Sequence, residues 1–248
     1  MSTYALEVRD VHKRFGQVEV MRGATLQVKA GERCVVIGPN GAGKSSLFNL
    51  ISGVEVPDRG DVVLHGKPIQ GLPSYDISRM GLARSFQVSS LFLQLSVYEN
   101  LRCAVLWTMG YRYTFWRRLS RLQKVADKAQ AVLTQIGLEH RRDVTAAQLS
   151  YAEQRMLELG ITIASGADVI LLDEPTAGMS KSESTAMVEL IRSVTVGKTL
   201  LMVEHDMQVV FELADRITVL AEGRVVMTDV PDIVRANQEV QRLYLGAS

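Results

Sequence analysis

Gly38-Pro39-Asn40-Gly41-Ala42-Gly43-Lys44-Ser45-Ser46 fits the pattern G-x-x-x-x-G-K-[ST]. Its surroundings turn the pattern into a physical statement. The run before it, Arg33-Cys34-Val35-Val36-Ile37, is short, apolar and β-branched and reads as a buried strand. The run after it, Ser46-Leu47-Phe48-Asn49-Leu50-Ile51, reads as the start of a helix. A glycine-rich loop at such a junction curls so that its backbone N–H groups face phosphate oxygens. The helix behind it adds the positive end of its dipole. Lys44 is then expected to reach the β- and γ-phosphates of a nucleotide, and the Ser45 hydroxyl to meet Mg2+. The alternative is a plain glycine-rich turn, and the full pattern at a strand–helix junction speaks against it.

Around that loop the bulk properties are ordinary. The 248 residues are 47% apolar and 22% charged, enough to build a large core, and the length suits one α/β unit carrying an insertion. A net charge of +1 gives no broad basic field for nucleic acid. Cys34 and Cys103 are the two cysteines. They make no disulfide framework, which fits a reducing compartment, and Cys34 reads as a small apolar filler of its strand. The N-terminal Met1-Ser2-Thr3-Tyr4-Ala5-Leu6-Glu7-Val8-Arg9 lacks a charged region followed by an apolar one, so no signal peptide is expected. No run approaches the roughly 20 apolar residues of a membrane span. The longest candidate, 101–116, is broken by Arg102, Gly110 and Arg112. Any tie to a membrane is therefore expected to run through a partner.

Upstream of the loop, 4–9 alternates as a half-buried strand does, and 24–28 reads as another strand. Phe15, just before Gly16, suits core packing and stacking on a nucleobase equally well. Downstream, Pro57-Asp58-Arg59-Gly60 is expected as a turn and Asp61-Val62-Val63-Leu64-His65 as a strand. This first part reads as strand-rich with one helix. Near residue 87 the composition shifts. The segments 100–106 and 117–136 are helix-compatible, the second carrying Leu122, Val125, Ala129, Val132, Leu133 and Ile136 on one face and ending at Gly137. Arg117, Arg118, Arg121, Lys124 and Lys128 along it suit a solvated face or, less readily, attraction to anionic lipid headgroups. Strands and helices then alternate again. Val169-Ile170-Leu171-Leu172 suits a parallel strand buried on both faces. Ser180-Lys181-Ser182-Glu183 is a capping box opening a helix with Met187, Leu190, Ile191 and Val194 on one face. The segment 199–203 reads as a strand, and 217–220 and 224–227 flank a hairpin turn, Ala221-Glu222-Gly223. Without an internal repeat, one nucleotide-binding unit is expected.

The chemistry gathers at strand ends. The strand 169–172 runs into Asp173-Glu174-Pro175. Asp173 is expected to hold Mg2+, and Glu174, one residue on, to act as general base toward a water; two acids at a strand end also fit plain solvation. His205, in Glu204-His205-Asp206, can bond the γ-phosphate and position that water, or be an ordinary histidine. Ala83-Arg84-Ser85-Phe86 reads as a strand edge, and Gln87 behind it has an amide able to touch both Mg2+ and water, although a lone glutamine carries little signal.

The order Phe15, phosphate loop, Gln87 before a helical insertion, Leu149-Ser150-Tyr151-Ala152-Glu153-Gln154-Arg155, Asp173-Glu174 and His205 resembles the ATP-binding cassette (ABC) family of transport ATPases over essentially the whole chain. The resemblance implies an α/β fold: a P-loop NTPase core with an antiparallel β subdomain, 1–86 and 154–248, and an inserted helical subdomain, 87–153. It implies ATP held by Phe15 and by Gly38 to Ser46, with Ser45, Gln87 and Asp173 on Mg2+ and hydrolysis by Glu174, His205 and Gln87. It implies a dimer with a second such subunit, identical or related, whose ATP is covered by the signature residues Leu149, Ser150, Tyr151, Ala152 and Glu153. Two transmembrane permease subunits, and indirectly a periplasmic binding protein, complete the implied assembly at the cytoplasmic face of the inner (plasma) membrane; nucleic acid is not among the partners.

Leu-Ser-Tyr in the signature, the long insertion after Gln87, Thr176-Ala177-Gly178-Met179 and Leu243-Tyr244-Leu245-Gly246 look like the cassettes of importers for branched-chain amino acids, amides and urea. A lipid-export cassette and an ATP-dependent dimerisation switch are the alternatives. No Asn-Lys-x-Asp segment for reading guanine occurs, which disfavours a GTPase. The family implies that the surface at 87–98 receives a membrane-subunit helix; Leu91, Phe92 and Leu93 fit that role and core packing about equally. Three positions depart from the family pattern. Ala152 takes the second signature glycine, where its Cβ is expected to weaken contact with phosphate and slow turnover. Glu153 replaces the usual Gln, a change that the importer branch tolerates. Ser180 stands where the family mostly has Asp, as softer inter-subunit coupling or simply as a good N-cap.

Overall fold

A computed structural model describes residues 4–85, 91–108 and 119–245. In chain order the elements are β1 (Tyr4–Phe15), β2 (Val18–Lys29), β3 (Arg33–Ile37), α1 (Lys44–Ile51), β4 (Arg59–Leu64), β5 (Lys67–Pro68), α2 (Ser74–Arg79), β6 (Leu82–Arg84), α3 (Val97–Thr108), α4 (Leu119–Gln135), α5 (Tyr151–Ala164), β7 (Val169–Asp173), α6 (Lys181–Val194), β8 (Thr199–Val203), α7 (Met207–Leu213), β9 (Arg216–Ala221), β10 (Arg224–Asp229), α8 (Pro231–Ala236) and α9 (Gln238–Leu245). They divide into two compact units, Met1–Arg84 with Asp168–Glu174 and Thr195–Ser248, and Ser85–Ala167 with Pro175–Val194.

The first unit holds both sheets. One is six-stranded, in the order β10-β9-β3-β8-β7-β6, parallel except for the antiparallel edge strand β10. Strands β7 and β8 are buried along their whole length, as central parallel strands covered on both faces must be. The other sheet is antiparallel, in the order β2-β1-β4-β5. Helix α1 buries Leu47, Phe48, Leu50 and Ile51 in one core with Leu6, Met21 and Leu26 of the antiparallel sheet and Val36, Leu171, Leu201 and Val203 of the parallel one. Each such buried side chain contributes about 1.5–3 kcal/mol by removal from water, which is what holds the phosphate loop's helix between the sheets. Cys34 is a filler in that core; burial pushes its thiol up to about 12, with a hydrogen bond from the Thr218 side chain opposing.

β1 and β2 run longer than their alternation suggests. Register shifts between Val8 and Val11, with Asp10 at φ +48°, break the period of two that marks a strand. β4 begins at Arg59, inside the expected turn, and the short α2 adds a helix where none was expected. β6 (Leu82–Arg84) ends two residues into the segment read as a strand edge, Phe86 lying outside the described residues, and the hairpin turn at 221–223 joins β9 to β10 with Glu222 and Gly223 both at positive φ.

The described residues of the second unit are helical, and α5 beyond residue 153 and all of α6 group with it, whereas the expected division placed them in the core. On α4 the spaced apolar residues Val125, Ala129, Val132 and Leu133, and Ile136 just past its end, are all buried, while Lys124 is exposed. Arg117, Arg118 and the side chains of Arg121 and Leu122 lie outside the described residues. Ser180 caps α6 as expected: its N–H donates to Glu183 Oε2 at 2.8 Å, and its Oγ accepts the Glu183 N–H at 3.4 Å.

Candidate nucleotide-binding site

The sheet order assembles the site. β3, β8 and β7 are adjacent and parallel, so their C-terminal ends open at one edge. The phosphate loop leaves β3, Glu204-His205 leaves β8, and β7 ends in Asp173 followed by Glu174. Open α/β sheets take ligands at this edge. Gln87 lies outside the described residues.

In the phosphate loop, α1 begins at Lys44 with Gly43 as its N-cap at φ +101°, a conformation that a side chain resists. No side chain caps this helix and no acid sits in its first turn, so its N–H groups and dipole face outward toward an anion. A Cβ on Gly38 would collide with the carbonyl oxygen of Leu220 in β9. The Ala42 carbonyl accepts the N–H of Gly223 at 3.0 Å, so the β9–β10 turn buttresses the loop. Lys44 Nζ donates to the carbonyls of Gly38 (2.7 Å) and Pro39 (3.0 Å). Burial lowers the Lys44 ammonium below the ordinary lysine range, against the pull of Glu174 and Asp173. Phe15, at the end of β1, is 43% exposed, which removes core packing and leaves its ring available for stacking. The Lys13 ammonium lies 5.4 Å from that ring's centroid.

Across the sheet edge, Asp173 is buried, and its Oδ2 accepts from Arg84 Nη2 at 3.1 Å. Burial raises the Asp173 carboxyl above the usual carboxylate range, while Arg84 and then Lys44 hold it down. Glu174 sits at φ +47° with its N–H on the Val203 carbonyl at 3.0 Å, which pins the end of β7 to that of β8. A left-handed non-glycine residue costs about 1–2 kcal/mol, and here it aims the half-buried candidate base. His205 Nδ1 lies 3.8 Å from Glu174 Oε1. The buried Glu204 carboxylate accepts the N–H groups of His205 and Asp206, and Asp206 caps α7. Ser45 and Asp173 present a hydroxyl and a carboxylate, the oxygen donors a hard cation such as Mg2+ takes beside phosphate oxygens. Among the described residues no group of three or more His, Cys, Asp or Glu could hold a metal by itself.

In the helical unit, the signature forms the N-terminus of α5. Ser150 Oγ accepts the Glu153 N–H (3.3 Å), and Glu153 Oε2 accepts the Ser150 N–H (2.8 Å). Glu153 Oε1 also takes Arg141 Nε at 2.8 Å. Burial would raise the Glu153 carboxyl, but the Ser150 N–H and Arg141 outweigh it and hold it below the usual range. Tyr151 donates its hydroxyl to the Ala177 carbonyl at 3.0 Å and accepts Arg155 Nη2 at 2.9 Å. Ala152 is half-buried in the first turn, next to the exposed Tyr151. Leu149 is buried. Ahead of α3, Leu91 is buried whereas Phe92 and Leu93 are exposed, and the buried Asn100 side chain bonds both the N–H and the carbonyl of Phe92.

Sequence reading misses the partners of these residues. The capping box of Ser150 and Glu153 has the same spacing as that of Ser180 and Glu183, and that signal was available. Arg84, Arg141 and the Gly223 N–H carry no local signal, because their partners are distant in the chain.

Residues 21–177 match the family model described as ABC transporter. The high-affinity branched-chain amino acid transport ATP-binding protein LivG of Escherichia coli (strain K12) is 34% identical over 255 residues, covering 99% of each chain. Its counterpart BraF of Pseudomonas aeruginosa is 32% identical over 99% of each. A solved nucleotide-free ATP-binding cassette from an ABC transporter superposes with a TM-score of 0.85 at 24% identity, covering 97% of this chain and 98% of that one. No helix among the described residues is long and apolar enough to cross a membrane.

Proposed function

The chain belongs to the ABC transporter family and is one of its ATP-binding cassettes, and on that premise we propose that it is the ATP-hydrolysing subunit of an importer for branched-chain amino acids, amides or urea. Full-length likeness to branched-chain amino acid transport ATP-binding proteins carries the cargo class. The strand-end constellation supports the reaction.

ATP enters with its phosphates in the loop 38–46, and Lys44 exchanges the Gly38 and Pro39 carbonyls for the β- and γ-phosphates. The exposed ring of Phe15 stacks on the base. Ser45 and Asp173, with Gln87, would hold Mg2+, which when bound neutralises charge on the phosphates. Glu174 takes the proton of the attacking water as the bond to the γ-phosphorus forms and the bond to ADP breaks. His205, one strand over, orients that water and the γ-phosphate. The N-terminus of α5, whose first-turn acid Glu153 is held by the Ser150 N–H and by Arg141, faces the ATP of a partner cassette. Two ATP molecules thus hold two cassettes together and hydrolysis parts them. Phe92 and Leu93 receive a helix of a permease subunit, which makes the membrane association peripheral. A binding protein outside the membrane delivers the solute.

The deciding experiment reconstitutes the chain with its permease subunits in lipid vesicles and measures ATP-driven uptake of leucine, an aliphatic amide and urea. Uptake of one of them that stops on omission of ATP is expected. A chain that hydrolyses ATP yet associates with no membrane subunit refutes the importer reading.

A further inference from the structure

We propose that Arg84 is a positioning residue for the metal–nucleotide complex: its guanidinium locks the Asp173 carboxylate to helix α1, so that the metal-binding acid and the phosphate loop form one rigid piece before nucleotide arrives. The inference rests on the reading of this edge as an ATP–Mg2+ site.

Arg84 ends the edge strand β6, beside β7 in parallel register with Leu171. Its side chain is 8% exposed and that of Asp173 1%. One nitrogen, Nη2, reaches Asp173 Oδ2 at 3.1 Å. The other, Nη1, reaches Asn49 Oδ1 at 2.8 Å and Ser52 Oγ at 2.9 Å. Asn49 belongs to α1 and Ser52 is its C-cap, and α1 opens with Lys44 and Ser45. The ring of Phe48, also in α1, lies 5.6 Å from the guanidinium carbon. A single planar group thereby joins the residue ending β7 to the helix that carries the phosphate-binding lysine. Only a fork can do this: its two nitrogens point to different elements at fixed angles, whereas a lysine ammonium is a point charge on a flexible stem. Mg2+ demands near-ideal geometry and takes few protein ligands, so the distance between Asp173 and Ser45 has to be set by something other than the ion. Arg84 is placed to set it.

A merely structural ion pair would also destabilise the fold when broken, so the test reads a ratio. ATP affinity of the full chain is measured by calorimetry in excess Mg2+ and in EDTA. Arg84→Gln is expected to bind ATP in EDTA within about twofold of the parent, because the loop is untouched, and to lose at least tenfold of the gain that Mg2+ confers. Arg84→Lys is expected to fall between. A parent-like Mg2+ gain in Arg84→Gln overturns the proposal, as does an equal fall in both buffers. If thermal unfolding shows that Arg84→Gln does not fold, the double variant Asn49→Ala/Ser52→Ala detaches α1 while leaving the charge pair. It must lower the Mg2+ gain threefold or more, and an unchanged gain is again fatal. Failure of the site reading looks different: the parent chain itself would bind no ATP in either buffer.

Discussion

Lys44 bonds its own loop through the carbonyls of Gly38 and Pro39. Hydrogen bonds to charged groups contribute about 1.5–3 kcal/mol. Lys44→Ala is therefore expected to weaken ATP binding roughly 10- to 100-fold, and an unchanged dissociation constant by calorimetry would strip Lys44 of its role. At this scale the sequence was most legible where chemistry is local. Lys44, Ser45, Asp173 and Glu174 are each marked by a turn or a strand end within a few residues. Phe15 was ambiguous, because whether a ring at a strand end is covered depends on what packs over it, and here little does. Arg84 was silent: its partners lie 32, 35 and 89 residues away.

Among the elements, α5 shows how a departure from a family pattern can be absorbed. Glu153 completes a capping box and meets Arg141, so the residue that replaces the usual glutamine stabilises its own helix. Its carboxyl titrates below the ordinary value of 4.5 in the folded protein. A depressed carboxyl contributes stability above its unfolded value and loses it as pH falls through the folded one. Glu153→Ala should accordingly cost about 1 kcal/mol at neutral pH, with the gap closing as pH falls below the ordinary value of 4.5 and through the depressed one, as read from urea denaturation at several pH values. A gap that does not vary with pH would mean that the charge contributes nothing. Ala152 in the same turn invites the opposite substitution. Ala152→Gly is expected to cost about 1 kcal/mol of helix stability while raising ATP turnover, since the methyl no longer holds the partner's phosphate away; steady-state hydrolysis without any gain removes that idea. The apolar face of α4 followed from period alone and the burial of β7 from an unbroken apolar run, whereas β1 and β2 outran their alternation because register shifts scramble it.

For the whole molecule the decisive behaviour is association. Glu174→Gln keeps the shape of the candidate base and removes its basicity, so hydrolysis should fall about 10²- to 10⁴-fold while ATP still binds. Light scattering of that variant should then give twice the monomer mass with ATP and Mg2+, and the monomer mass with ADP. Near-parental hydrolysis would dismiss Glu174 as the base, and a monomer in ATP would dismiss the paired cassette. By itself, the order of residues along the chain determined the phosphate loop, the buried strand ending in acids, the capped helix α6 and the family. Each of those is written in turn chemistry or in a period of two or near four, which neighbours in sequence suffice to express. Tertiary structure alone decided that β8 lies between β3 and β7 and so brings His205 to the same edge as Lys44 and Glu174. It also decided that the turn at Gly223 props the loop and that Arg84 joins Asp173 to α1. Strand order and long-range hydrogen bonds are settled by the packing of a shared core, and no local window of sequence contains both partners.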